Sequence, residues 1–330
     1  MADPTRRSRW VRAARWLFLG VVLAGALLAF RGHGDEIVSA IAIDVSPRDA
    51  HPGSTSVASV GGASALVLAG LGLTSVAWLA LLRGFGHRLP GGIGRSVFFV
   101  GQLGKYVPGG VWSIGAHAHL ARDHGVPVRV TASTSLTFLG LNLATAAAVV
   151  GVVASVGVDV GPLTRTTGAV LCLAALVSLV PAVVNRLAGL VAGVQLGLRW
   201  LDVVGLVALM ALTWASYAGA VVVLSPEPTW SVLPAAAAAF ATAYAVGVAI
   251  VVAPAGVGAR EVTLVALLSP MLGVGAAGAV AVLVRVLHTG ADLLLALVAW
   301  AAASRVPSPV GRPPAQNSSA VVHESVAGDH

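Results

Sequence analysis

Long apolar stretches recur along this chain, at Trp16 to Phe30, Gly61 to Leu82, Val130 to Gly157, Thr167 to Val184, Leu201 to Leu224, Ser231 to Ala253 and Val274 to Ala303. Arginines, glycines and prolines close most of them. A run of about 20 apolar residues crosses the roughly 30 Å hydrocarbon layer as a helix, and an open sheet edge cannot survive there. The pattern predicts an all-α, polytopic integral membrane protein with about 7–8 transmembrane helices. Composition agrees: 57% of the 330 residues are hydrophobic, 10% are charged, and the mean hydropathy is +0.89.

Flanking charge orients the spans. Arg6, Arg7, Arg9, Arg12 and Arg15 precede the first apolar run, whereas Arg31 to Ser59 carries Asp35, Glu36, Asp44 and Asp49. A basic N-terminus on the cytoplasmic side and an external acidic loop follow from the positive-inside rule. The run Trp16 to Phe30 is rather long for the apolar region of a signal peptide and reads as an uncleaved span. The formal charge of +7 comes from arginines at span ends, which suits membrane flanks and argues against nucleic acid as a partner. The domain organisation expected is a basic N-terminus over 1–12, a membrane domain over 13–304 and a disordered, proline-containing tail over 305–330. A short apolar piece between Val184 and Leu201 reads as an interfacial helix on the basic side.

Two segments break the span pattern. Ser96 to Leu120 is apolar but interrupted at Pro108, Gly109 and Gly110, and Val251 to Leu268 is interrupted at Pro254, Gly256 and Gly258. Unwound backbone at membrane depth is tolerated where it lines protein or water, and paired broken helices point to a transporter's central site. Four spans counted between the breaks would place both on the cytoplasmic face, whereas an inverted repeat needs opposite faces.

The candidate binding residues cluster near these breaks. Lys105, the sole lysine, precedes the first break beside Tyr106; at mid-membrane an unpaired ammonium costs about 2.5–3.5 kcal/mol and calls for a cavity, a partner or an anionic headgroup. Arg260 and Glu261 follow the second break, where a helix restart offers free N–H groups to an anion; alternatively Glu261 satisfies that helix end while pairing with Arg260. In the last span Arg285, His288 and Asp292 share one helical face, either as a structural clamp or as part of a substrate or proton path. Arg285 and Asp292 lie about 10 Å apart along the axis, so each needs another partner. The reading gives Arg285 to a headgroup phosphate and Asp292 to Arg260 or a proton. His117, His119 and His124 lack the spacing and the companion ligands of a metal shell. Cys172 has no partner for a disulfide, and the motifs of nucleotide hydrolases, serine hydrolases and zinc proteases are absent from the sequence. No cofactor and no catalytic residue are expected.

The blocks GQLGKYVPGG at Gly101 to Gly110, ARDHGV at Ala121 to Val126 and APAGVGARE at Ala253 to Glu261 resemble the signature blocks of the lysylphosphatidylglycerol synthase transmembrane-domain family, also called flippase-like domain proteins. The resemblance covers about residues 13 to 304, and Arg285 occupies the place of a basic residue in that family's last helix. It implies a membrane domain that moves a phosphate-bearing lipid between leaflets, without the soluble synthase domain of the full-length enzymes. Members often read Pro-Gly-Gly at the second break, where this chain has Ala255. The expected function is a lipid flippase of the cytoplasmic membrane, its cargo an aminoacyl-phosphatidylglycerol or a polyprenyl-phosphate-linked glycolipid. A separate synthase or glycosyltransferase is a further expected partner. The alternatives are a membrane-embedded lipid transferase and a non-transporting scaffold for such an enzyme.

Overall fold

The computed structural model describes residues 43–44, 55–107, 111–193, 195–250 and 253–305. The expected first span, the tail and the hinge residues Pro108, Gly109 and Gly110 lie outside them. A two-residue parallel pairing of β1 (Ile43–Asp44) with β2 (Thr55–Ser56) leads into ten α-helices: α1 Val57–Gly84, α2 Gly91–Gln102, α3 Trp112–Arg122, α4 Val128–Ser155, α5 Arg165–Ser178, α6 Pro181–Ala192, α7 Trp200–Val223, α8 Leu233–Ala249, α9 Ala259–Leu272 and α10 Val274–Ala303. Six helical segments among the described residues are long and apolar enough to cross a membrane, and the bent pair α5–α6 makes a seventh. The protein is an all-α polytopic membrane protein.

Side-chain contacts fix the direction of each span. Gly62 of α1 faces Val223 of α7, and Gly84 at the other end of α1 faces Leu198, just before α7 begins, so α1 and α7 run antiparallel. Trp78, late in α1, donates its indole N–H to Ser135, early in α4, and α4 therefore starts at the face where α1 ends. At the far end of α4, Gly151 abuts Cys172 of α5. The chain then returns through α6 to Gly197, whose N–H bonds Gly84 O at 3.3 Å. Thus α5 and α6 together make one crossing, bent by 70°.

That bend corrects the expectation of a straight span over Thr167 to Val184. Pro181 opens α6, where it supplies no N–H and pushes Val180 out of helical backbone, to φ −61° and ψ 132°. The short helix expected between Val184 and Leu201 is the continuation of this elbow, tied down by Asn185, whose amide exchanges two hydrogen bonds with the backbone of Leu198.

Two helical hairpins complete the bundle. In the first, α2 and α3, of 12 and 11 residues, pack on each other and meet through the 3-10 turn Leu103–Tyr106. At about 1.5 Å per residue neither spans a bilayer alone. In the second, α8 and α9 pack on each other across residues 250–258, which include the 3-10 turn Pro254–Gly256. The order span, hairpin, span therefore occurs twice, as α1, α2–α3, α4 and as α7, α8–α9, α10, with α5–α6 between.

The two halves are interleaved. The hairpin limb α2 packs on α10 of the other half, α8 packs on α4, and the two turns touch at the centre. Three crossings separate the hairpins, namely α4, α5–α6 and α7, so they enter from opposite faces. The count of four included Ser231 to Ala253, which is the first limb of the second hairpin. With that correction the two hairpins are related as in an inverted repeat, the arrangement seen where broken helices build a transporter's central site.

Glycines let the limbs close. A Cβ on Gly104 would stand 2.6 Å from Ser113 N in α3, and one on Gly256 would stand 2.7 Å from Gly247 Cα in α8. The first hairpin is held further by a relay of side chains. Phe98 O only accepts, so His117 Nε2 donates to it at 3.0 Å; His117 Nδ1 then accepts from Ser135, which accepts from Trp78. One buried histidine thereby joins α1, α2, α3 and α4.

Candidate functional site at the hairpin tips

Both hairpin tips dock on α10. From the first, Lys105 Nζ lies 2.6 Å from Asp292 Oδ2, and the Tyr106 hydroxyl donates to the same oxygen at 2.7 Å. Asp292 is only 3% exposed, so this carboxylate is held by a charge-assisted pair of donors in a setting with little water. From the second tip, Ala255 O accepts from Arg285 Nη1 at 3.0 Å, and Glu261 Oε1 lies 3.5 Å from Arg285 Nε. The other oxygen of Glu261 accepts from Gly258 N at 2.6 Å, closing the restart of α9.

Lys105 has a partner, one of the three settings expected for it, and that partner is Asp292. Two expectations change here. Asp292 does not neutralise Arg260. Glu261 satisfies its helix end, as in the alternative reading, but its ionic partner is Arg285 rather than Arg260, so Arg285 is already engaged by protein groups. The separation of Arg285 and Asp292 is as expected: each has a different partner, and each partner comes from a different hairpin.

Arg260 is the exception among the site's charges. Its guanidinium lies over the Tyr244 ring at 5.0 Å, and among the described residues no carboxylate lies within 4.0 Å of it. Gly247 makes room for it, since a Cβ there would overlap Arg260 Cγ. Lys105, Arg260 and Arg285 face two carboxylates, Glu261 and Asp292, which leaves the site with one positive charge in excess.

A small cavity of about 40 Å³ opens between these groups, lined by Phe240, Arg260, Glu261, Arg285 and His288 among others. His288 Nδ1 lies 2.8 Å from Val284 O, and because a carbonyl only accepts, Nδ1 carries the proton. Its other nitrogen, Nε2, is buried and has no partner among the described residues. The ring is held by Phe240 and Tyr217, at centroid distances of 5.3 and 4.8 Å. A buried polar atom without a partner is costly to leave so.

Ala255 occupies left-handed backbone, with φ +50° and ψ 24°, just ahead of the turn's other unusual residues, Gly256 at φ +70° and Gly258 at φ +84°. The residue that departs from the flippase-like pattern thus stands where a glycine would be unstrained, and its carbonyl is the one that Arg285 holds.

All seven candidate binding residues meet around the hairpin tips. Sequence reasoning missed Tyr244, Phe240 and Tyr217, whose rings hold Arg260 and His288 in place; aromatic residues in an apolar span carry no signal of that role. His119 and Trp112 remain outside the site. No family model matches this chain, and no curated protein sequence matches it.

Proposed function

We propose that the protein is a lipid flippase of the cell membrane, moving a phosphate-bearing lipid, an aminoacyl-phosphatidylglycerol or a polyprenyl-phosphate glycolipid, between leaflets. The observation that carries this reading is Arg260, with no carboxylate within 4.0 Å among the described residues, beside a small cavity between α8, α9 and α10, next to the point where the two hairpin turns touch. One excess positive charge matches the single negative charge of a phosphodiester, and a guanidinium offers it a bidentate fork. Hairpins from opposite faces supply two gates to one central site, as alternating access requires. The Arg260 charge is the attracting element. The resemblance of the Gly101 to Gly110 and Ala253 to Glu261 blocks to flippase-like domains points the same way.

Orientation follows from charge. The face where α1 ends collects Arg83, Arg88, Arg95, Arg122, Arg129, Arg186 and Arg199, whereas the opposite face has Arg165 with Asp159 and Glu227. The arginine-rich face is placed in the cytoplasm, with the N-terminus on the same side. A separate synthase or glycosyltransferase supplies the lipid.

The test is leaflet exchange in liposomes that contain the purified protein and headgroup-labelled phosphatidylglycerol or polyprenyl phosphate. The wild type is expected to equilibrate label between leaflets without altering it, and Arg260→Gln to slow this by about tenfold or more while leaving the folded yield unchanged, the loss of one charge-assisted contact. Chemical conversion of the lipid would instead favour a transferase, and neither exchange nor conversion would favour a scaffold.

A further inference from the structure

A second cavity, of about 270 Å³, lies away from the hairpin tips, in the angle of the α5–α6 elbow against α1, α4 and α7. Its inner wall is buried and apolar, with Leu81, Leu141, Leu179, Ala188, Leu198 and Leu206. Three hydroxyls complete the lining, and two of them are turned back on their own helices: Ser133 donates to Arg129 O and Ser178 to Ala175 O, each at 2.6 Å. Water gains little in such a space, which is large enough for several molecules but offers few free polar partners.

The cavity is open on one side. Leu136 and Leu187, which line it, are 39% and 51% exposed, and so it reaches the outer surface between α4 and α6. Apart from Arg186 at its arginine-rich end, that surface is apolar, for Val170, Leu173, Leu176 and Val177 of α5 and Leu190 of α6 are exposed as well. The mouth thus faces lipid rather than solvent. Along α4 the lining runs from Ser133 to Ala144, about 16 Å of helix, which makes the space long in the direction of the bilayer normal.

We infer that this elbow cavity binds one hydrocarbon chain of a membrane lipid, acyl or isoprenoid, entering between α4 and α6. The binding site is separate from the charged centre and does not rest on the transport reading. The occupant follows from the walls: an apolar slot with Thr137 as its one hydroxyl not turned back on its own helix, opening onto the hydrocarbon layer, is filled by what that layer consists of. The bend at Val180–Pro181 creates the space, because a straight α5 continuing along α4 would close it.

Two photoactivatable probes test this in lipid nanodiscs holding the full chain, a diazirine-tailed phosphatidylglycerol and a diazirine-tailed polyprenyl phosphate. Label is expected on peptides containing Leu141 and Ala188, inside the slot. Gly140 lines the cavity with nothing within 4 Å of where its Cβ would stand, so Gly140→Leu places a side chain in the slot. It should lower labelling there by about tenfold, as exclusion of two methylenes from apolar cover implies, and leave labelling of the outer face at Leu173 unchanged. The probe that labels identifies the chain type. Label confined to outer faces in the wild type, or unchanged in a folded Gly140→Leu, would overturn the assignment. A Gly140→Leu protein that fails to fold leaves the wild-type map to decide. Loss of lipid exchange in Arg260→Gln with normal slot labelling would separate the two sites.

Discussion

The two hairpins dock on the same helix with opposite charge. The first brings a cation, Lys105, to an acid on α10, whereas the second brings an acid, Glu261, to a cation on α10. The first tip has a second donor in Tyr106, aimed at the same carboxylate oxygen; the second adds a backbone acceptor, Ala255 O, for the same guanidinium. Their exposure is distributed differently: in the first pair the acid Asp292 is almost fully enclosed while Lys105 keeps 29%, whereas in the second the Arg285 and Glu261 side chains keep 21% and 16%. One fold thus holds a tight tip and a looser tip, and the unpaired Arg260 belongs to the looser one. Chain topology sets where the tips meet; the choice of paired groups sets how firmly each is held.

The largest effect should come from breaking the tight tip. Asp292→Leu strands both Lys105 and the Tyr106 hydroxyl, and is expected to lower stability by about 3–5 kcal/mol in denaturant or thermal unfolding of the detergent-solubilised protein. The double change Lys105→Met with Asp292→Leu should recover most of that loss, since no buried charge is then left alone. An additive double mutant would show that the pair is not coupled.

A smaller effect is expected at the looser tip. Glu261→Gln removes one ionic contact of Arg285 but keeps an acceptor for Gly258 N and leaves the Ala255 carbonyl in place, for a cost of about 1.5 kcal/mol in the same assay. Equal losses at Glu261 and Asp292 would erase the distinction between the tips. The smallest effect should be a gain. Ala255→Gly relieves left-handed backbone worth about 1–2 kcal/mol but adds freedom to the unfolded chain, for a net stabilisation of about 0.5 kcal/mol. A clear loss instead would mean that the Ala255 methyl makes contacts that outweigh its backbone strain.

Much of the fold was legible in hydrophobic pattern alone. The last span, expected at Val274 to Ala303, coincides with α10, and the span expected at Leu201 to Leu224 differs from α7 by one residue at each end. The breaks were legible from proline and glycine. What the pattern concealed was direction: α8, at 17 residues, is apolar and long enough to imitate a crossing, and only its packing on α9 shows that it turns back. The site was half legible for a related reason. Helical spacing placed Arg285, His288 and Asp292 on one face, but spacing within a helix carries no information about which hairpin stands opposite. Lys105 and Asp292 are 187 positions apart, and their pairing is a property of the interleaved halves.

The seam between α1 and α7 carries an implication of a different kind. Gly70 of α1 lies directly under the Tyr217 ring of α7, so that a methyl group there would overlap it, and the opposite side of Tyr217 meets His288. A hydrogen atom at position 70 is therefore a dimension of the central cavity, although it lies on another helix and touches none of the charged groups. The seam behaves as a shim: its thickness, fixed by a residue without a side chain, sets how closely the Tyr217 ring that meets His288 can approach α1. Substitutions far from any charge can in this way retune the geometry of the polar centre, and the tolerance at Gly70 is set by the chemistry at the far side of a tyrosine.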